Sequence, residues 1–135
     1  PSRETLYAVF KTTCPTCELT WPFLDRVRKA GDGGLQVVAV SQDDPVRTAE
    51  FGRRLATGLR TVYDPEPWPA SDSLEVTAVP TLFLVGEDGV LRDTIVGFDR
   101  EKLQELADRA SRLAGRPPAP VFGAGNREVP ALRAG

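Results

Sequence analysis

Two short apolar runs do most to limit what this chain can fold into. Leu6-Tyr7-Ala8-Val9-Phe10 and Leu35-Gln36-Val37-Val38-Ala39-Val40 carry almost no polar alternation. A strand with one face in water alternates, whereas a strand buried on both faces does not. Each run leads into helical signals. Pro15 is a natural first helical residue, and Leu19, Phe23, Val27 and Ala30 recur at helical spacing before Gly31-Asp32-Gly33-Gly34 stops the helix. Asp44-Pro45 reads as an N-cap and first helical residue of a second helix carrying Ala49, Phe51 and Leu55, with Gly58 as its C-cap. Doubly buried strands alternating with helices predict a parallel sheet with helices on both faces.

Further along, Thr61-Val62-Tyr63 suggests a short third strand. Asp64-Pro65-Glu66-Pro67-Trp68-Pro69 alternates proline with other residues and is expected to be irregular. A helical turn or two is expected over 71–76. Thr81-Leu82-Phe83-Leu84-Val85 reads as a strand, Glu87-Asp88-Gly89 as a hairpin turn, and 90–96 as the antiparallel partner. Asp99 is placed to cap a last helix with Leu103, Leu106, Ala107, Ala110, Leu113 and Ala114 on one face. The order is β-α-β-α-β-α-β-β-α. Residues 1–115 then form one α/β domain. Residues 116–135, rich in proline and glycine, form a tail whose Val121, Phe122, Val129 and Leu132 could at most dock along a groove.

Composition removes several classes of function. The 17 Lys and Arg against 19 Asp and Glu leave a net charge of -2, without the basic stripe of a nucleic-acid binder. No apolar run approaches the roughly 18 residues of a membrane span. The chain starts at Pro1 and contains no Met, so a segment upstream is expected to have been removed. It also contains no His. That excludes Ser-His-Asp and Cys-His catalysis, His-ligated metals and imidazole acid–base chemistry. Two Cys cannot by themselves close a four-ligand zinc site or build a dense disulfide framework.

The two are Cys14 and Cys17, in Cys14-Pro15-Thr16-Cys17, directly after a buried strand and at the start of a helix. At this spacing two sulfurs can close a small disulfide. The first sits where free backbone N–H groups and the positive end of the helix dipole stabilise a thiolate. The second, one turn deeper, can attack a mixed disulfide formed by the first. A half-site for zinc and an inert surface disulfide are the competing readings of such a pair. The strand-before, helix-after setting favours redox chemistry.

These residues resemble the thioredoxin superfamily, and within it the redoxin-like thiol–disulfide oxidoreductases of the TlpA and ResA type. The resemblance covers residues 5–113. Cys14 and Cys17 stand at the family's redox pair, Pro22 at its helix-kinking proline, and Val79-Pro80-Thr81 at its cis-proline loop. Phe83-Leu84-Val85 and Gly89 match the hairpin that follows, and 43–63 resembles the helix and strand that redoxin-like members insert. The resemblance implies a three-layer α/β/α sandwich around a mixed five-stranded sheet, in the order third-second-first-fourth-fifth. It implies Cys14 as the attacking nucleophile and Cys17 as the resolving thiol. Val79 and Pro80 become a substrate platform, with Thr13 beside it and Pro15, Thr16 and Pro22 shaping the helix and site. Trp68 is a further candidate for substrate contact from its loop position alone, and a packing role for it is the simpler reading. Partners are protein or small-molecule thiols and disulfides, with no metal or organic cofactor. A monomer on the extracytoplasmic side of a bacterial membrane is the setting it favours.

The sequence also departs from the pattern. Thr13 replaces the Trp common before the first Cys, Ala8 the buried Asp of thioredoxins, and Thr20 the Glu of ResA-like members. No carboxylate therefore stands at either usual place to take the resolving thiol's proton, and water or the Lys11 charge is expected to serve. Glu18 is expected to face solvent, and Trp21 to pack in the core or at its rim. Trp68 lies in a loop after a parallel strand, on the sheet edge that presents Cys14. A peroxiredoxin-like peroxidase would need Pro-x-x-x-Thr-x-x-Cys. Counted back from Cys14 those positions hold Lys11 and Tyr7, and from Cys17 they hold Cys14 and Phe10. Copper-delivery proteins of similar fold use Cys-x-x-x-Cys and a His, and neither is present. A binding module with a structural disulfide is the remaining alternative.

Overall fold

The computed structural model describes residues 3–123 and 129–135. Five strands make one sheet: β1 (Glu4–Phe10), β2 (Leu35–Ser41), β3 (Arg60–Tyr63), β4 (Thr81–Val85) and β5 (Leu91–Val96), in the order β3-β2-β1-β4-β5. β1 runs parallel to β2, and β2 to β3, while β4 is antiparallel to β1 and β5 to β4. The order implied by the resemblance is the order found. Two short strands, β6 (Phe98–Asp99) and β7 (Leu132–Arg133), pair separately.

Alternation along β1 divides the interior. Leu6, Ala8 and Phe10, with Val37, Ala39, Leu82, Leu84 and Ile95, pack against Cys17, Trp21, Leu24 and Val27 of α1 (Pro15–Ala30) and Leu103, Leu106, Ala107 and Ala110 of α4 (Arg100–Leu113). Phe51 of α2 (Pro45–Arg54) joins them, with ring centroids 5.3 Å from Phe10 and 5.7 Å from Trp21. Tyr7, Val9, Val40, Phe83 and Val85 point to the opposite face. There the short α3 (Pro69–Ser73) and Leu74 border an apolar hollow of about 440 Å³.

Local differences from the sequence reading have identifiable causes. Helix α2 ends at Arg54, and Ala56, not Gly58, takes the left-handed conformation after it, at φ 55. Gly58 is committed elsewhere, its N–H donating to the buried Asp25 carboxylate at 3.2 Å. Helix α3 begins at Pro69, inside the proline-rich loop, because Asp64 caps it from a distance. Its carboxylate accepts from the Ala70 N–H (2.9 Å), the Ser71 N–H (2.7 Å) and the Ser71 hydroxyl (2.7 Å).

The tail lies against the domain. Val121 is 4% exposed within the main core. The Phe122 ring centroid stands 4.4 Å from that of Phe23 and 6.2 Å from that of Phe98. Arg26 donates to the Val121 carbonyl at 2.6 Å, and Gln104 accepts the Val121 N–H at 2.9 Å.

Candidate active site

Strand β1 delivers the chain to the carboxyl edge of the sheet, where Lys11-Thr12-Thr13 turns it into α1. Cys14 is the N-cap of that helix, with extended backbone at φ -100 and ψ 114. Its sulfur accepts the Cys17 N–H at 3.1 Å, satisfying one of the donors a helix leaves free at its start. Pro15 occupies the first turn, where a missing N–H costs nothing. Cys14 is partly exposed and Cys17 fully buried, and both thiols are free. This asymmetry follows from the helix: position 14 faces the sheet edge, and position 17, one turn on, faces the core under β1.

Burial pushes the Cys17 thiol far above its ordinary range. The hydrogen bond and charge of Cys14 and the charge of Asp43 push in the same direction, against a hydrogen bond from the Lys11 backbone. A carboxylate thus acts on Cys17 from outside the two places weighed in the sequence, and it opposes ionisation. Asp43, just past β2, accepts both the N–H (2.7 Å) and the hydroxyl (2.8 Å) of Thr12 through one oxygen. Sequence reasoning passed over Asp43 in favour of its neighbour Asp44, which caps α2 by accepting the Arg47 N–H. The signal was in the register. Phe10 pairs with Ser41, so Thr12 and Asp43 each stand two residues beyond a matched pair on parallel neighbours.

The opposite wall is Val79-Pro80, joined by a cis peptide bond. The Cys14 thiol donates to the Val79 carbonyl at 3.4 Å. The Pro80 carbonyl accepts the Gly97 N–H at 2.8 Å, tying this loop to the turn before β6. Thr13 is exposed beside Cys14, and Thr16 is buried between the cysteines. Thr20 is fully buried, its hydroxyl donating back to the Thr16 carbonyl at 2.7 Å. Pro22 stands inside α1, five residues after Cys17. Glu18 pairs with Arg54 at 2.9 Å on the surface, and Trp21 is 2% exposed in the core. Trp68 donates its indole N–H to the Gln42 carbonyl at 3.2 Å, and Lys11 Nζ lies 4.5 Å from its ring centroid. That places Trp68 beside the loop leading to Cys14.

Another neighbour of the site was not foreseen. The Thr16 hydroxyl donates to the Ala134 carbonyl at 2.7 Å, bringing the tail to the start of α1. Nothing in the tail's sequence signals this contact. Among the described residues there is no group of three or more metal-ligating side chains.

No family model and no curated protein matches the sequence. Solved structures do. A thioredoxin-like protein determined in solution in its oxidised form is 22% identical, with a TM-score of 0.72 over 86% of this chain and 81% of that one. A thiol–disulfide isomerase from Corynebacterium glutamicum is 17% identical, with a TM-score of 0.71 over 81% of this chain and 80% of that one. A secreted disulfide oxidoreductase from Mycobacterium tuberculosis is 16% identical, with a TM-score of 0.68 over 83% of each chain. Sheet order, the cysteine pair at the start of α1, the proline loop opposite and these likenesses converge: the chain has a thioredoxin-like fold.

Proposed function

We propose that this chain is a thiol–disulfide oxidoreductase acting through Cys14 and Cys17. The observation that carries the reading is their division of labour. Cys14 is partly exposed and receives the Cys17 N–H, while Cys17 lies buried behind it. The Cys14 thiolate attacks one sulfur of a partner disulfide. The partner's S–S bond breaks, its other sulfur leaves as a thiolate and takes a proton, and a Cys14–partner disulfide forms. Cys17 then loses its proton and attacks the Cys14 sulfur, releasing the partner's second thiol and leaving a Cys14–Cys17 disulfide. Two electrons pass from the protein to the partner, and the reverse sequence oxidises a dithiol.

The structure suggests how the second step is timed. Two of the influences that keep Cys17 protonated are the hydrogen bond and charge of Cys14. Once the Cys14 sulfur is bonded to a partner it carries no charge, so those restraints are lifted when Cys17 must react. Val79 and Pro80 form the platform for the partner's backbone, with Thr13 and Trp68 at its rim. Partners are protein or small-molecule thiols. The likeness to a secreted oxidoreductase supports work outside the cytoplasm, and we read the chain as acting as a monomer. We read residues 1–115 as the catalytic domain and 116–135 as its extension.

Insulin reduction in the presence of dithiothreitol tests the reading. Cys14→Ser is expected to abolish turnover. Cys17→Ser is expected to accumulate a mixed disulfide through Cys14. Turnover by Cys14→Ser, or no trapped species with Cys17→Ser, overturns the assignment.

A further inference from the structure

We propose that residues 131–135 occupy, as an internal ligand, the groove in which an extended partner strand must lie to reach Cys14. The inference rests on the oxidoreductase reading above. Four main-chain contacts carry it. Thr16, between the cysteines, donates to the Ala134 carbonyl at 2.7 Å. Gly135 lies so close to the Val79 carbonyl, the acceptor of the Cys14 thiol, that a Cβ on it would collide with that oxygen. β7 pairs antiparallel with β6, Phe98 opposite Arg133 and Asp99 opposite Leu132. The Arg100 N–H donates to the Ala131 carbonyl at 2.9 Å.

Glycine makes the approach feasible from the other side as well. Gly97 holds a left-handed φ of 79, and a Cβ there would stand 2.6 Å from the Arg133 carbonyl. The segment thus touches the helix start, the proline loop and the β5–α4 connection.

The segment is held by its backbone. All five residues are exposed, Leu132 at 69%, so little apolar burial fixes them. The anchors lie upstream, where Val121 is buried and Phe122 packs on Phe23 and Phe98. A weakly held strand on a firmly anchored stem has a high effective concentration yet exchanges readily. An extended polypeptide with glycine opposite Val79 can make the same main-chain bonds, so protein partners that present such a stretch compete with the segment.

The test compares the full chain with a variant lacking 131–135, which keeps Val121, Phe122 and Val129. Arg133→Pro is the second variant, since it keeps the length and removes a strand N–H. In insulin reduction both variants are expected to lower KM about fivefold or more with kcat unchanged, as removal of a tethered competitor requires. An unchanged KM in both variants, with turnover intact, overturns the proposal. A synthetic peptide of residues 129–135, added at about millimolar concentration to match a tethered strand, gives a readout independent of redox activity. Amide NMR shifts at Thr16, Gly97 and Asp99 in the shortened protein, and none in the full chain, support groove occupancy, and their absence overturns it. If neither protein turns over a disulfide, the oxidoreductase reading falls, and the peptide shifts alone decide what the segment does.

Discussion

The backbone N–H of Cys17 points at the sulfur of Cys14 from 3.1 Å, so the deeper cysteine supports the outer one through its amide while its own thiol stays buried. Iodoacetamide applied to the reduced protein near neutral pH is therefore expected to label Cys14 and spare Cys17, as mass spectrometry of the peptides will show. Preferential labelling of Cys17 would reverse the roles. Stability carries the same sign. Burial first, then the Cys14 contact, raises the Cys17 thiol above its unfolded value. Its contribution is present below the ordinary thiol range and is lost as pH rises through and beyond it. The urea midpoint of the reduced protein should fall on the alkaline side, and this component should be absent in Cys17→Ala.

Asp43 acts on the site in two separable ways. Its carboxylate anchors Thr12 by two hydrogen bonds, and its charge opposes ionisation of Cys17. Asp43→Asn keeps an oxygen able to accept from Thr12 but removes the charge. The pH profile of mixed-disulfide resolution is expected to move to lower pH, with stability little changed. Asp43→Ala also frees the Thr12 donors and is expected to cost about 1–3 kcal/mol, read as a lower denaturation midpoint. A profile that moves to higher pH in Asp43→Asn would mean that this carboxylate accepts the Cys17 proton.

The contrast between Asp43 and the cysteine pair shows where a sequence is readable. Cys14 and Cys17 declare themselves because strand, motif and helix start are contiguous. The alternation of strands and helices follows from apolar runs whose burial needs no partner to be identified, while the sheet order is what the resemblance implied. Asp43 becomes meaningful only when β1 and β2 are set side by side with Phe10 opposite Ser41. Thr20 is polar yet fully buried, because its hydroxyl bonds back to Thr16 within the same helix. The expected apolar face at Leu19, Phe23, Val27 and Ala30 omitted that side of α1. Val121 and Phe122 have no periodicity around them, and their partners, Arg26 and Gln104 for the one and Phe23 and Phe98 for the other, are remote in the chain. Isolated apolar residues among prolines read as a tail until the surface that receives them is known.

Asp64 supports the second face of the sheet. Burial opposes its charge, but the Ser71 hydroxyl and the Ala70 and Ser71 amides outweigh that and hold its carboxyl below the usual range. A depressed folded value means stability that is present above the ordinary carboxylate range and lost as pH falls through the folded value. Asp64→Ala leaves two backbone donors at the start of α3 unpaired, so it is expected to destabilise by about 1–3 kcal/mol at neutral pH. Denaturant titrations of both proteins should show this difference shrinking under strongly acidic conditions. A difference that grows as pH falls would overturn the assignment.

The two parts of the tail should separate by their effect on stability. Removing 131–135 deletes exposed residues held by main-chain bonds, and the denaturation midpoint is expected to change little. Removing 116–135 also deletes Val121, which is 4% exposed, and Phe122, stacked on Phe23. At roughly 25 cal/mol per Å² of apolar surface, uncovering Phe23, Phe98 and the core around Val121 corresponds to a few kcal/mol. It also strips Arg26 and Gln104 of their partners at Val121. The shorter protein is therefore expected to unfold at clearly lower urea while Cys14 keeps its selective reactivity, since no sulfur contact is lost. Equal midpoints for the two truncations would show that Val121 and Phe122 rest on the domain without contributing to it.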